Sequence, residues 1–410
     1  MSFITSISRI LKPDRIYLDY AAATPVRMEV LKKMTPFQSE SFANASAIYK
    51  EGTDARQAIQ RARAQVAGAL RIKKEEVFFV SGGTEANNMA LVGLLEALID
   101  SGRSLDTCEV VTTALEHPSI SEILKQYQQK GLRVEHAPVD VDGLIIHSEF
   151  EKLLSDKTVL VTFAYANSEI GVVQDVKAIT RAVRVFKKEH KTAFPYVHLD
   201  ASQAPLYLSC AFDALGVDMM TLDAGKFYGP KGVGIFAKKH GVPHAPLMRG
   251  GDQEGGVRPG TENVAGIVGC AEAFGIAVRD YEVRAQRVAA IREYCFKELS
   301  TITGVVINGS RNQRIANNVN ISIPGIDGEY AAVVLDANGI AVSTKSACSG
   351  ATGSGSKVIY ALGGDDARAL STLRITLGEE TTKRNILRLV RVLQKHVAHM
   401  RETIDQINKK

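Results

Sequence analysis

The sequence predicts an α/β protein of two domains, the larger built on a seven-stranded, mainly parallel sheet. Three observations predict it. Seven short β-branched or apolar runs recur in the first part of the chain, most intervals between them carry a helical pattern, and 410 residues exceed what one core usually fills. In order, the runs are Glu76–Val80, Glu109–Thr113, Leu132–Pro138, Thr158–Ala164, Tyr196–Asp200, Met219–Asp223 and Gly232–Ala237. Strands joined by helix-length crossovers pair in parallel, carry helices on both faces and present ligand groups at their carboxyl ends. The last two runs stand too close for a helix between them and are expected to pair antiparallel. Beyond the glycine-rich stretch Gly250–Gly260 the pattern becomes one long helix, Val264–Leu299. Strand signals return at Val305–Asn308, Asn318–Ile323 and Leu373–Thr376. A closing helix follows a Thr381/Thr382 cap, with Ile386, Val390, Leu393, Val397 and Met400 on one face. The expected division is a large domain at 14–265 and a smaller C-terminal α/β domain at 266–410, against which residues 1–13 pack.

Apolar residues make up 45% of the chain and charged ones 23%, which excludes a disordered or collagen-like chain. The net charge of +5 is spread along the sequence, so no basic footprint for nucleic acid is present. Five cysteines (Cys108, Cys210, Cys270, Cys295 and Cys348) have wide spacings and no Cys-x-x-Cys, which argues against a disulfide framework or a zinc site. Met1–Lys12 has no apolar leader, and no run of eighteen apolar residues occurs, so a reducing, cytoplasmic setting is expected. From Ser346 to Ser356 every side chain is threonine-sized or smaller, so little of this arm can be anchored by burial, and Cys348 sits on it.

Three segments carry chemistry. Ser81-Gly82-Gly83-Thr84-Glu85 follows a strand and opens a helix, so its amides, the Thr84 hydroxyl and the helix dipole suit a phosphate. Tight turns and capping boxes use the same residues. Neither a Gly-x-Gly-x-x-Gly fingerprint nor a Walker loop is present. Asp200 ends an apolar strand, where it serves either to hold a protonated ring nitrogen or to cap a helix. Lys226 likewise follows a strand, and partial burial there favours the neutral amine that a Schiff base needs, whereas Lys231 lies in a more solvated glycine-proline turn. A phosphate loop, a strand-end aspartate and a strand-end lysine in this order are the three contacts of a pyridoxal 5'-phosphate site. His117, placed to stack on a flat ring, and Asn167, placed to bond a ring oxygen, also follow strands; both types are equally common in ordinary loops.

At this point the chain resembles the cysteine desulfurases of the class-V aminotransferase group, which have the aspartate aminotransferase-type fold. The resemblance runs almost end to end through Tyr17-Leu18-Asp19-Tyr20-Ala21-Ala22-Ala23-Thr24-Pro25-Val26, Ser81–Asn88, Glu116-His117, Asn167–Gln174, His198–Gln203, Lys226–Gly232, Arg258-Pro259-Gly260-Thr261, Ser346-Ala347-Cys348 and Leu373–Gly378. It implies that Lys226 anchors the cofactor covalently, Asp200 holds its pyridinium nitrogen, Gln203 and Asn167 its ring hydroxyl, and His117 stacks and moves protons. Thr84 with Gly83 would hold the phosphate, joined by Thr261 of the partner subunit in a homodimer. Arg374 would clamp the carboxylate of L-cysteine, with Asn44 nearby. Cys348 would be the nucleophile, leaving alanine and a persulfide for a sulfur-acceptor protein such as an iron–sulfur scaffold; the long interval between Cys348 and Arg374 resembles the long-armed members. The alternatives are a related class-V enzyme, such as a selenocysteine lyase or a small-amino-acid aminotransferase, and a non-catalytic homologue.

Three departures accompany the resemblance. The family's Ser-x-His before the lysine reads Asp223-Ala224-Gly225, and an ionised Asp223 facing a phosphate is expected to turn away or pair with a base. The glycine shortly before Ser-Ala-Cys is Lys345, whose charge is expected to lower the Cys348 pKa. The family's Asn-Pro-x-x-x-His reads Asn44-Ala45-Ser46-Ala47-Ile48-Tyr49.

Overall fold

The computed structural model describes residues 15–344 and 355–408. The expectations for residues 1–13, Lys345, Cys348 and the arm through residue 354 lie outside the described residues. The chain divides into a larger unit, Ala23–Asn167 with Val173–Val283, and a smaller one comprising the described residues up to Ala22, Ser168–Val172 and those from Arg284 onward.

In chain order the strands are β1 (Ile16–Tyr17), β2 (Val77–Val80), β3 (Glu109–Thr112), β4 (Arg133–His136), β5 (Thr158–Ala164), β6 (Tyr196–Asp200), β7 (Met219–Asp223), β8 (Gly234–Lys238), β9 (Val306–Ile307), β10 (Asn318–Ser322), β11 (Ile340–Ala341) and β12 (Thr372–Thr376). The larger unit holds the seven-stranded sheet in the order β2-β8-β7-β6-β5-β3-β4. β7, β6, β5, β3 and β4 pair in parallel, while β8 runs antiparallel to both its neighbours, β7 and β2. β2 and β7 therefore run the same way, and the carboxyl ends of β2, β7, β6, β5 and β3 meet at one edge of the sheet.

Helices α1 (Lys50–Leu70), α2 (Gly83–Asp100), α3 (Pro118–Gln128) and α4 (Val264–Arg279) belong to this unit. α2 and α3 bury Met89, Leu91, Leu94, Leu95, Ile120 and Leu124 against Phe78, Val110, Leu160 and Phe236 of the sheet. Each fully buried side chain of this size contributes roughly 1.5–3 kcal/mol. α4 packs on α1. Its glycines allow the close approach: a Cβ on Gly275 would stand 2.5 Å from the Gln65 side chain of α1, and one on Gly269 would stand 2.5 Å from Met34 Sδ. This packing carries the larger unit to Val283, past the 265/266 boundary drawn from the sequence. The single helix expected over Val264–Leu299 is two, because Asp280 leaves helical dihedrals (φ −120°, ψ 25°) between Arg279 and Tyr281.

In the smaller unit β12, β10 and β9 form an antiparallel sheet and β1 pairs in parallel with β11. α5 (Lys383–Asn408) buries Ile386, Leu389, Val390, Leu393 and Val397. At its start the Thr382 hydroxyl accepts from the Asn385 N–H at 3.3 Å, and Asn385 Oδ1 accepts from the Thr382 N–H at 2.8 Å, the reciprocal bonding of a capping box.

Candidate active site

The segments that follow β2, β3, β5, β6 and β7 leave the sheet at its shared carboxyl edge, and they carry all the residues singled out in the larger unit except Asn44 and Thr261. After β2, Gly82 adopts φ +154° and Gly83 opens α2, with Thr84 exposed in the first turn. The turn needs glycine opposite it as well, since a Cβ on Gly234 of β8 would stand 2.8 Å from the Gly82 backbone. Glu85 reaches back to accept from the Ser81 N–H at 2.5 Å, as in a capping box, and receives Arg258 Nε at 3.0 Å. Burial works against the Glu85 carboxylate, but the Ser81 and Arg258 contacts outweigh it and its pKa falls.

At the end of β6, Asp200 caps no helix. Its Oδ1 accepts from the N–H (3.0 Å) and the hydroxyl (2.6 Å) of Ser202, and its Oδ2 accepts from Asn87 Nδ2 at 2.9 Å. Asn87 Nδ2 also donates to Ser119 Oγ at 2.8 Å, and that oxygen lies 2.8 Å from His117 Nδ1. A hydrogen-bonded chain thus runs from Asp200 through α2 to His117. His117 is the N-cap of α3, its Nδ1 accepting from the Ser119 N–H at 3.1 Å, so the neutral ring carries its proton on Nε2. Burial lowers the His117 pKa; Asp200 opposes the shift and Lys226 adds to it. Asn167, after β5, is buried and donates to the Leu115 carbonyl at 2.8 Å. Gln203 is half-buried in the turn after β6.

The segment after β7 departs from expectation. Lys226 is half-buried at the end of the short turn Ala224–Lys226, and Lys231 is exposed with Nζ donating to the Thr24 carbonyl. Asp223 neither turns away from the cradle nor forms an ion pair with a base among the described residues. Its Oδ1 accepts from the Gly225 N–H at 2.8 Å and its Oδ2 from the Gly83 N–H at 3.2 Å. The physical reason is local: two backbone donors converge where β7 and α2 meet, and they satisfy the carboxylate as a capping side chain would.

Asn44 lies in an exposed turn, its Oδ1 accepting from the Ser46 N–H at 2.9 Å. Thr261 is exposed and lines a cleft of about 150 Å³ beside Ser81 and Arg258. In the smaller unit Arg374 is buried in β12, with Nη2 donating to Asp19 Oδ1 at 2.8 Å and Nη1 to the Ser168 carbonyl at 3.1 Å. Its Nε is buried without a hydrogen-bond partner among the described residues.

Three residues of the larger unit were not singled out in the sequence: Asn87, Ser119 and Ser202. Asn87 carried a signal, since it lies one turn after Gly83 on the face that goes on to Ala90, Leu91 and Leu94, where a polar side chain must find a buried partner. The residues fit a pyridoxal ring. Asp200 keeps acceptor capacity beyond its three bonds, and Asn87 Oδ1 beside it is a buried acceptor without a partner among the described residues, which together suit a protonated ring N–H.

Comparison with known proteins agrees with the geometry. The aminotransferase class-V family model matches residues 16–389. A protein called cysteine desulfurase IscS in Dictyoglomus turgidum is 37% identical over 94% of this chain and 95% of its own length, and its namesake in Methanosarcina thermophila is 35% identical over 94% and 93%. Among solved structures, a NifS-like protein superposes with a TM-score of 0.86 at 33% identity, covering 94% of this chain and all of the other. DndA from Streptomyces lividans gives 0.72 at 29%, over 87% and 98%. With family, relatives and folds in agreement over nearly its whole length, the chain belongs to the class-V aminotransferases and, among them, to the cysteine desulfurases.

Proposed function

We propose that this enzyme uses pyridoxal 5'-phosphate to convert L-cysteine to L-alanine, passing the sulfur to Cys348 as a persulfide. The observation that carries the reading is the linked set at the sheet edge: Asp200 tied through Asn87 and Ser119 to His117, with Lys226 on the neighbouring segment. Pyridoxal phosphate, when bound, supplies an electron sink for the charge left when the substrate α-proton departs. Asp200 balances a positive ring nitrogen, and Gln203 and Asn167 bond the ring hydroxyl. His117 stacks on the ring and stays neutral near pH 7, because burial lowers its pKa. Lys226 holds the cofactor covalently at Nζ. Thr84 and Gly83 take the phosphate, with Thr261 of the partner subunit in a homodimer. Arg374, whose Nε is a buried donor without a partner among the described residues, takes the substrate carboxylate, with Asn44 also serving that carboxylate.

In the transfer step the substrate Cβ–S bond breaks and an S–S bond forms on Cys348. Cβ leaves as the methyl of alanine, and the two thiol hydrogens, one from the substrate and one from Cys348, end as the third hydrogen of that methyl and the hydrogen on the outer sulfur of the persulfide. The persulfide then serves an acceptor protein such as an iron–sulfur scaffold. The four other cysteines are free and buried, as suits the reducing cytoplasm.

The test is alanine and sulfide release from L-cysteine with added pyridoxal phosphate and a thiol reductant, in wild type and Cys348→Ala. Equal yields that vanish in the variant are expected. Cofactor-loaded wild type giving no alanine would overturn the reading.

A further inference from the structure

We propose that Asp223 occupies the anion cradle from within, competing with the cofactor's phosphate for the Gly83 and Gly225 amides, and so limits how strongly this chain holds the phosphate end. The proposal rests on the cofactor reading above.

The N-terminus of α2 offers a phosphate its amides, its dipole and space beside glycine. In this chain the first of those amides is already engaged, together with the Gly225 amide of the neighbouring turn. Asp223 Oδ2 takes the Gly83 amide at 3.2 Å and Oδ1 the Gly225 amide at 2.8 Å. The same carboxylate oxygen, Oδ2, lies 3.6 Å from where a Cβ on Gly82 would stand and 3.4 Å from one on Gly83, so it fills the side of the cradle that the glycines leave open. Ser202 Oγ stands 3.1 Å from the same Gly83 position, but its hydroxyl donates to Asp200 Oδ1 at 2.6 Å. Lys231, eight residues after Asp223, directs its Nζ to the Thr24 carbonyl.

A phosphate dianion entering the cradle meets a carboxylate where it needs donors. It must displace that carboxylate from two amides or endure like-charge repulsion in a partly buried turn. Attachment at Lys226 and the charge contact at Asp200 do not involve the cradle, so the cost falls on the phosphate end alone. The chain should therefore discriminate weakly between pyridoxal phosphate and pyridoxal, which lacks the phosphate.

The experiment titrates the full-length protein with each aldehyde, followed by absorbance, in wild type, Asp223→Ser and Asp223→Asn. Asparagine keeps an acceptor for the Gly225 amide, so it preserves the turn while removing the charge. In both variants affinity for pyridoxal phosphate should rise by about tenfold or more, with affinity for pyridoxal unchanged. A preference between the two aldehydes that is the same in all three proteins would overturn the proposal and leave the cofactor reading intact.

Inorganic phosphate gives a readout that needs no aldehyde. It should raise the Tm of the two variants and not that of wild type. If neither aldehyde bound any of the proteins while phosphate stabilised only the variants, the cofactor reading would fall and the role of Asp223 would stand. If phosphate failed as well, both would fall.

Discussion

Asn87 donates from α2 to Asp200 and to Ser119, so one buried amide orients both the strand-end carboxylate and, through Ser119, the imidazole of His117. Beside this chain of bonds lies the buried Glu116, whose Oε1 accepts from the Thr113 hydroxyl at 2.6 Å. Burial pushes the Glu116 carboxyl from 4.5 to about 8, against the Thr113 bond and with a further push from Asp200. A carboxyl with a raised folded-state pKa binds its proton more tightly in the folded chain than in the unfolded one. Its contribution is therefore full below about pH 4.5 and is lost as pH climbs toward about 8. Thermal melts across that range should show wild-type Tm falling relative to Glu116→Gln, and parallel curves would refute the assignment. At this scale the sequence spoke unevenly. Asp200, His117 and Lys226 were legible because each follows a strand that the pattern announces. Ser119 and Ser202 were not, because a serine in a turn looks the same whether it bonds its own backbone or a functional carboxylate.

The carboxyl edge works as a site because β8 is reversed between β2 and β7, which leaves those two strands to deliver their turns to the same side. The β-branched runs and the short link before β8 made the reversal of β8 against β7 readable in the sequence, whereas its place beside β2 was not. The two-residue strands β1 and β11 were not readable, being too short to show any alternation. The turn Gln253–Gly256 depends on a contact that no local pattern reveals. Glu254, in left-handed backbone (φ 49°), forms a bidentate buried pair with Arg63 at 2.6 and 2.7 Å and accepts the Phe79 N–H at 2.9 Å. Truncating it would leave the Arg63 charge and the Phe79 amide without their partner. Glu254→Ala should therefore lose about 3–5 kcal/mol in urea unfolding, and Glu254→Gln less, since it keeps an acceptor for the amide. A loss below about 1 kcal/mol in the alanine variant would mean that water replaces the pair.

Across the whole molecule, the described cysteines Cys108, Cys210, Cys270 and Cys295 are buried as free thiols. Burial raises the pKa of each, taking Cys210 and Cys295 up to about 12, so none carries appreciable thiolate at neutral pH. Native protein should take up one equivalent of iodoacetamide by intact mass, and Cys348→Ala none; rapid uptake of a second equivalent would show that one of the four is accessible. The consequence reaches past alkylation to the traffic of atoms. With these four thiols buried and their pKa values raised, none of the described cysteines offers a thiolate onto which a sulfane sulfur could pass. If sulfur passes to Cys348 as proposed above, an isotopically heavy sulfur fed as cysteine should have a single address, on the peptide that bears Cys348.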